Sequence, residues 1–213
     1  MRGCLLIISI ILLLTTVSLA DDPVTVFSSP VTAANRKAFS AQIKKLQFEG
    51  VHTKNFEQHK QVAALKRPLI SKGIILLSPM GICLATQSPF SASVKITTDG
   101  IWQQSGDRKA TVKSADKNFE IRHTANILIA LFTANTSVLE KQFNLFYIKR
   151  AGHFQIGLRP KDRILAKIIS DIVIEGTDEI HKIAIREANG DTTVILISEE
   201  TPSKKITLET CIK

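Results

Sequence analysis

Beyond Gly50 the chain shows no alternation of strand and helix. Short β-type runs follow one another directly, with turn signals between them. Consecutive strands joined this way must pair as antiparallel neighbours, because a parallel pair needs a crossover of a dozen or more residues. Strands are expected near 52–64, 68–78, 81–87, 91–98, 100–105 and 108–114. They resume near 142–150, 153–159, 167–175, 180–188 and 192–199, and a final strand is expected over Ile206 to Cys211. Asp99-Gly100 is a strong hairpin turn, Ala151-Gly152 and Asn189-Gly190-Asp191 mark two more, and Gly81 and Pro89 bracket another. A sheet of roughly ten antiparallel strands curls or closes on itself. The expected fold class is mainly β: a strongly curved antiparallel sheet or open barrel.

Two segments break the β pattern. Thr32 is placed to cap an amphipathic helix that runs through Ala33, Phe39, Ile43 and Leu46. Residues 123–140 read as one or two short helices inserted in the sheet, with Ile127, Leu128, Leu131 and Phe132 apolar. These helices cannot cover so large a sheet on both faces.

The N-terminus has the layout of an export signal. Arg2 is the only charge in the first 20 residues, Cys4 to Leu14 is apolar, and Ser18 and Ala20 are the small residues a signal peptidase reads. Cleavage after Ala20 is expected, leaving residues 21–213 as one domain in an oxidising compartment. That location excludes nucleic acid as the partner of a chain with net charge +9. The cations that crowd the first quarter, Lys44, Lys45, Lys54, Lys60, Lys66, Arg67 and Lys72, either meet an acidic partner or anionic headgroups, or form a solvated face. Cys83 and Cys211 survive cleavage. Export permits a bond between them, and two buried thiols are the alternative.

Several strands are more apolar than a half-buried strand requires. Ile74-Ile75-Leu76-Leu77, Ile82-Cys83-Leu84-Ala85, Ile172-Val173-Ile174 and Val194-Ile195-Leu196-Ile197 are apolar on both faces. The surplus fits either plain core or an apolar cavity. Ten Phe against one Trp and one Tyr suit a dry wall, since Phe brings no polar atom that needs a partner. No catalytic constellation stands out. The five His are scattered, with no H-E-x-x-H pair and no zinc spacing, and no G-x-S-x-G elbow occurs. Glu175, Asp178 and Glu179 lie around a Gly turn and read most simply as a solvated turn. The expectation is a protein that is not an enzyme and carries no cofactor or metal.

Five motifs, taken in order, carry a resemblance. They are Phe56-Glu57-Gln58-His59-Lys60, Arg67-Pro68-Leu69 leading to Lys72-Gly73 and the apolar run behind it, Pro89-Phe90, Asp99-Gly100-Ile101-Trp102, and Ile183-x-Ile185-x-Glu187-x-Asn189-Gly190-Asp191. With Leu158-Arg159-Pro160-Lys161-Asp162, this order resembles the periplasmic outer-membrane lipoprotein carrier family (LolA-like) over about residues 32–199. The resemblance is to a divergent branch. Where better-known carriers have an Arg-Trp pair, Met80-Gly81-Ile82-Cys83-Leu84-Ala85-Thr86 has neither residue.

The resemblance implies an unclosed, strongly curved antiparallel β-barrel (a half barrel) with an α-helical lid, the lid helices lying near 32–46 and 124–135. It implies a periplasmic carrier or chaperone of a Gram-negative bacterium, which binds the acyl chains of a lipoprotein or lipid in an apolar cavity. An inner-membrane exporter would be the donor and an outer-membrane protein the acceptor, and the carrier is expected to be a monomer. The residues expected to line the cavity and lid are Phe56, Leu76, Leu84, Phe90, Ile96, Trp102, Leu128, Phe132, Phe146 and Ile156. The second expectation is a sensor or assembly factor that uses the same fold to bind a polypeptide and carries no lipid.

Overall fold

The structure is a computed structural model that describes residues 26–47, 50–114, 125–127, 129–130, 133, 135–198, 202 and 206–212. Its frame is one antiparallel sheet of eleven strands. The first six are β1 (His52–Gln61), β2 (Leu69–Ser78), β3 (Gly81–Ser88), β4 (Ala92–Thr97), β5 (Gly100–Ser105) and β6 (Thr111–Ser114). After the insertion come β7 (Phe143–Arg150), β8 (His153–Pro160), β9 (Ile169–Gly176), β10 (Ile180–Glu187) and β11 (Thr192–Ile197). The spatial order is β6-β5-β4-β3-β2-β1-β11-β10-β9-β8-β7. Two meanders are therefore joined where β1 pairs with β11, and Phe56 there faces Ile197. The edge strands β6 and β7 do not pair, so the barrel is unclosed, as expected.

One continuous apolar core proves the curvature. Ile82 of β3 and Ile96 of β4 share it with Tyr147, Ile156 and Ile174 from the far half of the sheet. A flat sheet would hold these strands far apart, at about 4.8 Å per strand step. Helix α1 (Arg36–Leu46) lies in the concavity and buries Phe39, Gln42, Ile43 and Leu46. It starts later than expected. Residues 32–35 form a turn in which Asn35 Oδ1 accepts from Thr32 N at 2.7 Å, so Thr32 is not the cap. Of the insertion, Ala125, Ile127 and Ala130 are buried in the same core. Two short helices, α2 (Thr136–Gln142) and α3 (Arg163–Ala166), lead into β7 and β9.

The convex face explains the doubly apolar runs of β2, β3 and β9. Two further clusters lie there, each made by one end of the chain. Val26 and Phe27 of a 3-10 turn pack with Val173 and Phe146 over β7 to β9. The approach is close enough that a Cβ on Gly157 would stand 2.8 Å from the Phe27 ring. The Arg159 guanidinium closes this patch, 4.2 Å from the Phe27 ring centre. Over β2 and β3, Leu76 and Cys83 are covered by Cys211, with Ile206, Leu208 and Ile212 around them. Cys83 and Cys211 are joined as a disulfide, with Cα atoms 6.0 Å apart. The strand expected over Ile206 to Cys211 is not formed. Residues 208–210 turn instead, and the Thr207 and Thr210 hydroxyls hydrogen-bond with each other's backbone N–H and with each other. The segment is apolar because it covers a face, not because it extends a sheet.

Candidate functional site

Among the described residues, the concave side opens at one end of the sheet. This is the end where β1 and β10 begin and β2, β9 and β11 finish. Leu46, at the end of α1, faces Leu77, Ile180 and Ile197 across a cavity of about 130 Å³, with Lys45, Gln47, His52, Lys54, Asp178 and Glu179 around it. The floor is apolar because β2 and β11 present their inward residues here. Ile197 lies opposite Phe56, whose other neighbour is Gly73, and Ile75 and Leu77 follow Gly73 on the same face.

The rim is charged and paired across the opening. Lys54 Nζ donates to Glu179 Oε2 at 2.9 Å, and Lys45 lies 3.9 Å from Asp178. Gln42, buried on α1, donates to the Thr177 carbonyl at 3.3 Å and accepts from Lys149 Nζ at 2.8 Å. These contacts tie the C-terminal half of α1 and the start of β1 to the β9–β10 turn. That turn is held locally by Thr177 N donating to the Glu179 carbonyl, and a register shift follows between Ile180 and Lys182. The bridging contacts are polar and mostly exposed, so each is weak. What holds α1 is its apolar face.

The Lys54 ammonium holds the Glu179 carboxyl below its usual 4.5, against a smaller upward push from partial burial, with His181 and His52 adding to the downward pull. A carboxylate with a lowered native pKa stabilises the fold above its unfolded value. It loses that contribution as pH falls through the lowered native value. Glu179→Gln is therefore expected to cost about 0.5 kcal/mol at pH 7, the size of an exposed ion pair. At a pH where the carboxylate is already protonated it should cost nothing. Thermal midpoints of the two proteins measured at both pH values check this, and an equal loss at both would remove the ion pair as the cause.

The residues expected to line the cavity divide by face. Phe56, Ile96 and Ile156 are buried in the concave core, and Leu84 packs against it. Leu76, Trp102 and Phe146 lie on the other face, which corrects their expected place. Leu76 sits under the C-terminal segment, Phe146 contacts Phe27 ring to ring at 5.3 Å, and Trp102 lies under the Lys95 ammonium at 4.7 Å. Alternation is the reason. Ile75 and Leu77, Ile101, and Leu145 and Tyr147 take the inward positions beside them. Phe90 is exposed in the β3–β4 turn, away from any wall. Leu128 and Phe132 lie outside the described residues.

Sequence reasoning missed Leu46, Leu77, Ile180 and Ile197 as a set, and it read Asp178 and Glu179 as a solvated turn. The signal for the two acids was weak. Lys45 and Lys54 stand at element ends that the strand list already brings to one end of the sheet.

Neither a family model nor a curated protein matches the sequence. Solved structures do match in shape. A LolA superfamily protein from Nitrosomonas europaea is 8% identical, with 83% of this chain and 97% of that chain covered and a TM-score of 0.44. The likeness is to LolA-type proteins. A putative outer membrane lipoprotein-sorting protein domain from Vibrio parahaemolyticus is 9% identical, with 80% and 93% covered and a TM-score of 0.41. A DUF1329 family protein from Desulfovibrio piger is 7% identical, with 80% and 92% covered and a TM-score of 0.45.

Proposed function

We propose that the protein is a periplasmic carrier that shelters an acyl chain of a lipoprotein or other lipid against the concave wall of its half barrel. The chain enters beside the C-terminal end of α1. The observation that carries this reading is the apolar floor of Leu46, Leu77, Ile180 and Ile197 at an opening into the main core. Each methylene taken out of water is worth about 0.8 kcal/mol, so no catalytic group is needed to make transfer favourable. At about 130 Å³ the cavity as it stands is close to the size of an engineered cavity, about 150 Å³, that takes a benzene-sized guest. A longer chain is admitted only if α1 swings outward. The weak polar contacts at its C-terminal end let it do so at modest cost.

In this reading α1 is the lid, the donor is an inner-membrane exporter, the acceptor lies at the outer membrane, and the carrier works as a monomer. The test is native mass spectrometry of the exported protein, purified without detergent, with organic extraction of whatever is bound. A stoichiometric acylated adduct is the expected result, and its mass identifies the cargo. Ile180→Glu places a charge at the entrance and should reduce uptake of added lipid or lipopeptide at least tenfold, since burying an unpaired charge costs more than about 1.4 kcal/mol. A clean apo mass that stays unchanged with added lipids and lipopeptides would overturn the reading in favour of a polypeptide-binding protein.

A further inference from the structure

The end of the sheet opposite the cavity mouth is built differently. Here the β1–β2, β3–β4, β5–β6 and β10–β11 turns lie with the α3 segment between β8 and β9. Their placement follows from register: Lys72 faces Ser88, Ala92 faces Ser105, and Arg186 faces Thr192. The turns are tied to one another. Gly106 N donates to the Ser91 carbonyl, Ala63 N to Asp191 Oδ1, and Ala188 N to the Ile168 carbonyl. These contacts join the β3–β4 turn to the β5–β6 turn, and the β1–β2 turn to the β10–β11 turn and the α3 segment, and the pairing of β2 with β3 sets the two groups side by side.

That surface carries apolar side chains in water. Phe90 is 81% exposed, Ile164 64%, Ile168 59% and Leu69 55%, with Leu65 and Ile70 beside them. Phe90, Leu65 and Ile168 come from turns and Ile164 from the short α3, while Leu69 and Ile70 are the first two residues of β2, opposite Lys60 and His59. The same surface carries exposed cations: Lys66 and Arg67, Arg108 and Lys109, Arg163 and Lys167. Among the described residues none of these six is held in an ion pair.

Lys45 and Lys54 at the cavity mouth and Lys182 on β10 have carboxylate partners, and so do Lys60 and Lys72 nearer the turns. The acids at this end are largely engaged. Glu187 and Asp191 face Lys60, and Asp162 accepts from Ile164 N and Leu165 N at the start of α3, which leaves Asp107 exposed in the β5–β6 turn.

We propose that this end of the half barrel docks on an anionic lipid bilayer. The six apolar side chains enter the headgroup boundary and the unpaired cations meet lipid phosphates. Apolar groups interleaved with Lys and Arg are the composition that partitions into an anionic interface. A protein partner of ordinary interface type would favour aromatic anchors and few lysines. Strands of ten residues span about 33 Å, so a docked molecule holds its cavity mouth roughly that far above the membrane, open to the aqueous side. The inference does not depend on what enters the cavity.

The test is flotation of the exported protein, its mature mass verified, with vesicles of phosphatidylcholine alone or mixed equally with phosphatidylglycerol. Binding to the mixed vesicles only, weakening as salt is raised, is expected. Lys66→Glu with Arg67→Glu, and separately Phe90→Ser with Ile164→Ser, should each lower binding at least tenfold. Met80→Ser, at the mouth end, should leave it unchanged. Each of these five side chains is exposed, and circular dichroism verifies that every variant is folded. Ile180→Glu should keep full vesicle binding, which separates this inference from the carrier reading. Three outcomes would overturn it: a folded protein that floats with neither vesicle, equal loss in the Met80 variant, or binding of a protein at this surface without any lipid binding.

Discussion

Reduction of the Cys83–Cys211 bond is expected to cost the protein about 5 kcal/mol. The bond closes a loop of 128 residues, and chain entropy predicts a loss of this size for so long a loop. For a domain whose whole stability is about 5–15 kcal/mol, that is a third or more. The contacts it secures are also apolar, because the segment carrying Ile206, Leu208 and Ile212 would leave Leu76 and Ala85 when released. Denaturant midpoints of the oxidised protein, the reduced protein and a Cys83→Ala/Cys211→Ala variant measure the effect. Reduced and variant proteins should agree with each other. A fall below about 1 kcal/mol in both would mean that the unfolded chain gains little freedom and that the C-terminal segment stays docked unaided.

Phe39→Ala is expected to cost about 3–5 kcal/mol, the range for emptying a buried Phe site. Phe39 is fully buried on α1 and meets the Tyr147 ring at 5.7 Å. The helix has little support of its own. It has eleven residues, no acid in its first turn, and an Asn35 that bonds backward to Thr32 instead of capping it. An isolated helix of that length is marginal in water, so burial has to hold it. Where the loss appears is informative. If α1 is part of the single cooperative unit, the denaturant midpoint falls. If it moves as a lid, its amides exchange faster while the midpoint of the sheet stays nearly fixed. A Phe39→Ala protein unchanged in both respects would show that α1 does not bear on the core.

The order of elements was readable because turns announce themselves. Asp99-Gly100, Ala151-Gly152 and Asn189-Gly190 each stand at a hairpin, and most strand ends fall within two or three residues of expectation. The phase of the strands was not readable. In β2, β3 and β9 both faces are apolar, which erases the period-two signal that would tell Leu76 from Leu77. Trp102 and Phe146 were misplaced for a related reason. Each is large and apolar, but each is satisfied on the convex face, by Lys95 or by Phe27 and Arg159. No local pattern reports that the chain's own ends cover that face. The cavity mouth escaped because its parts come from α1, β1, β2, β10 and β11, brought together only by curvature.

The C-terminal cover on the convex face also sets an order of events during synthesis. Leu76 and Cys83 leave the ribosome long before Cys211, which follows Cys83 by 128 positions. Until then β2 and β3 present an apolar strip and a free thiol, while their neighbours can already pair. Both the cover over β2 and β3 and the bond that fixes it are therefore completed only by residues near the C-terminus.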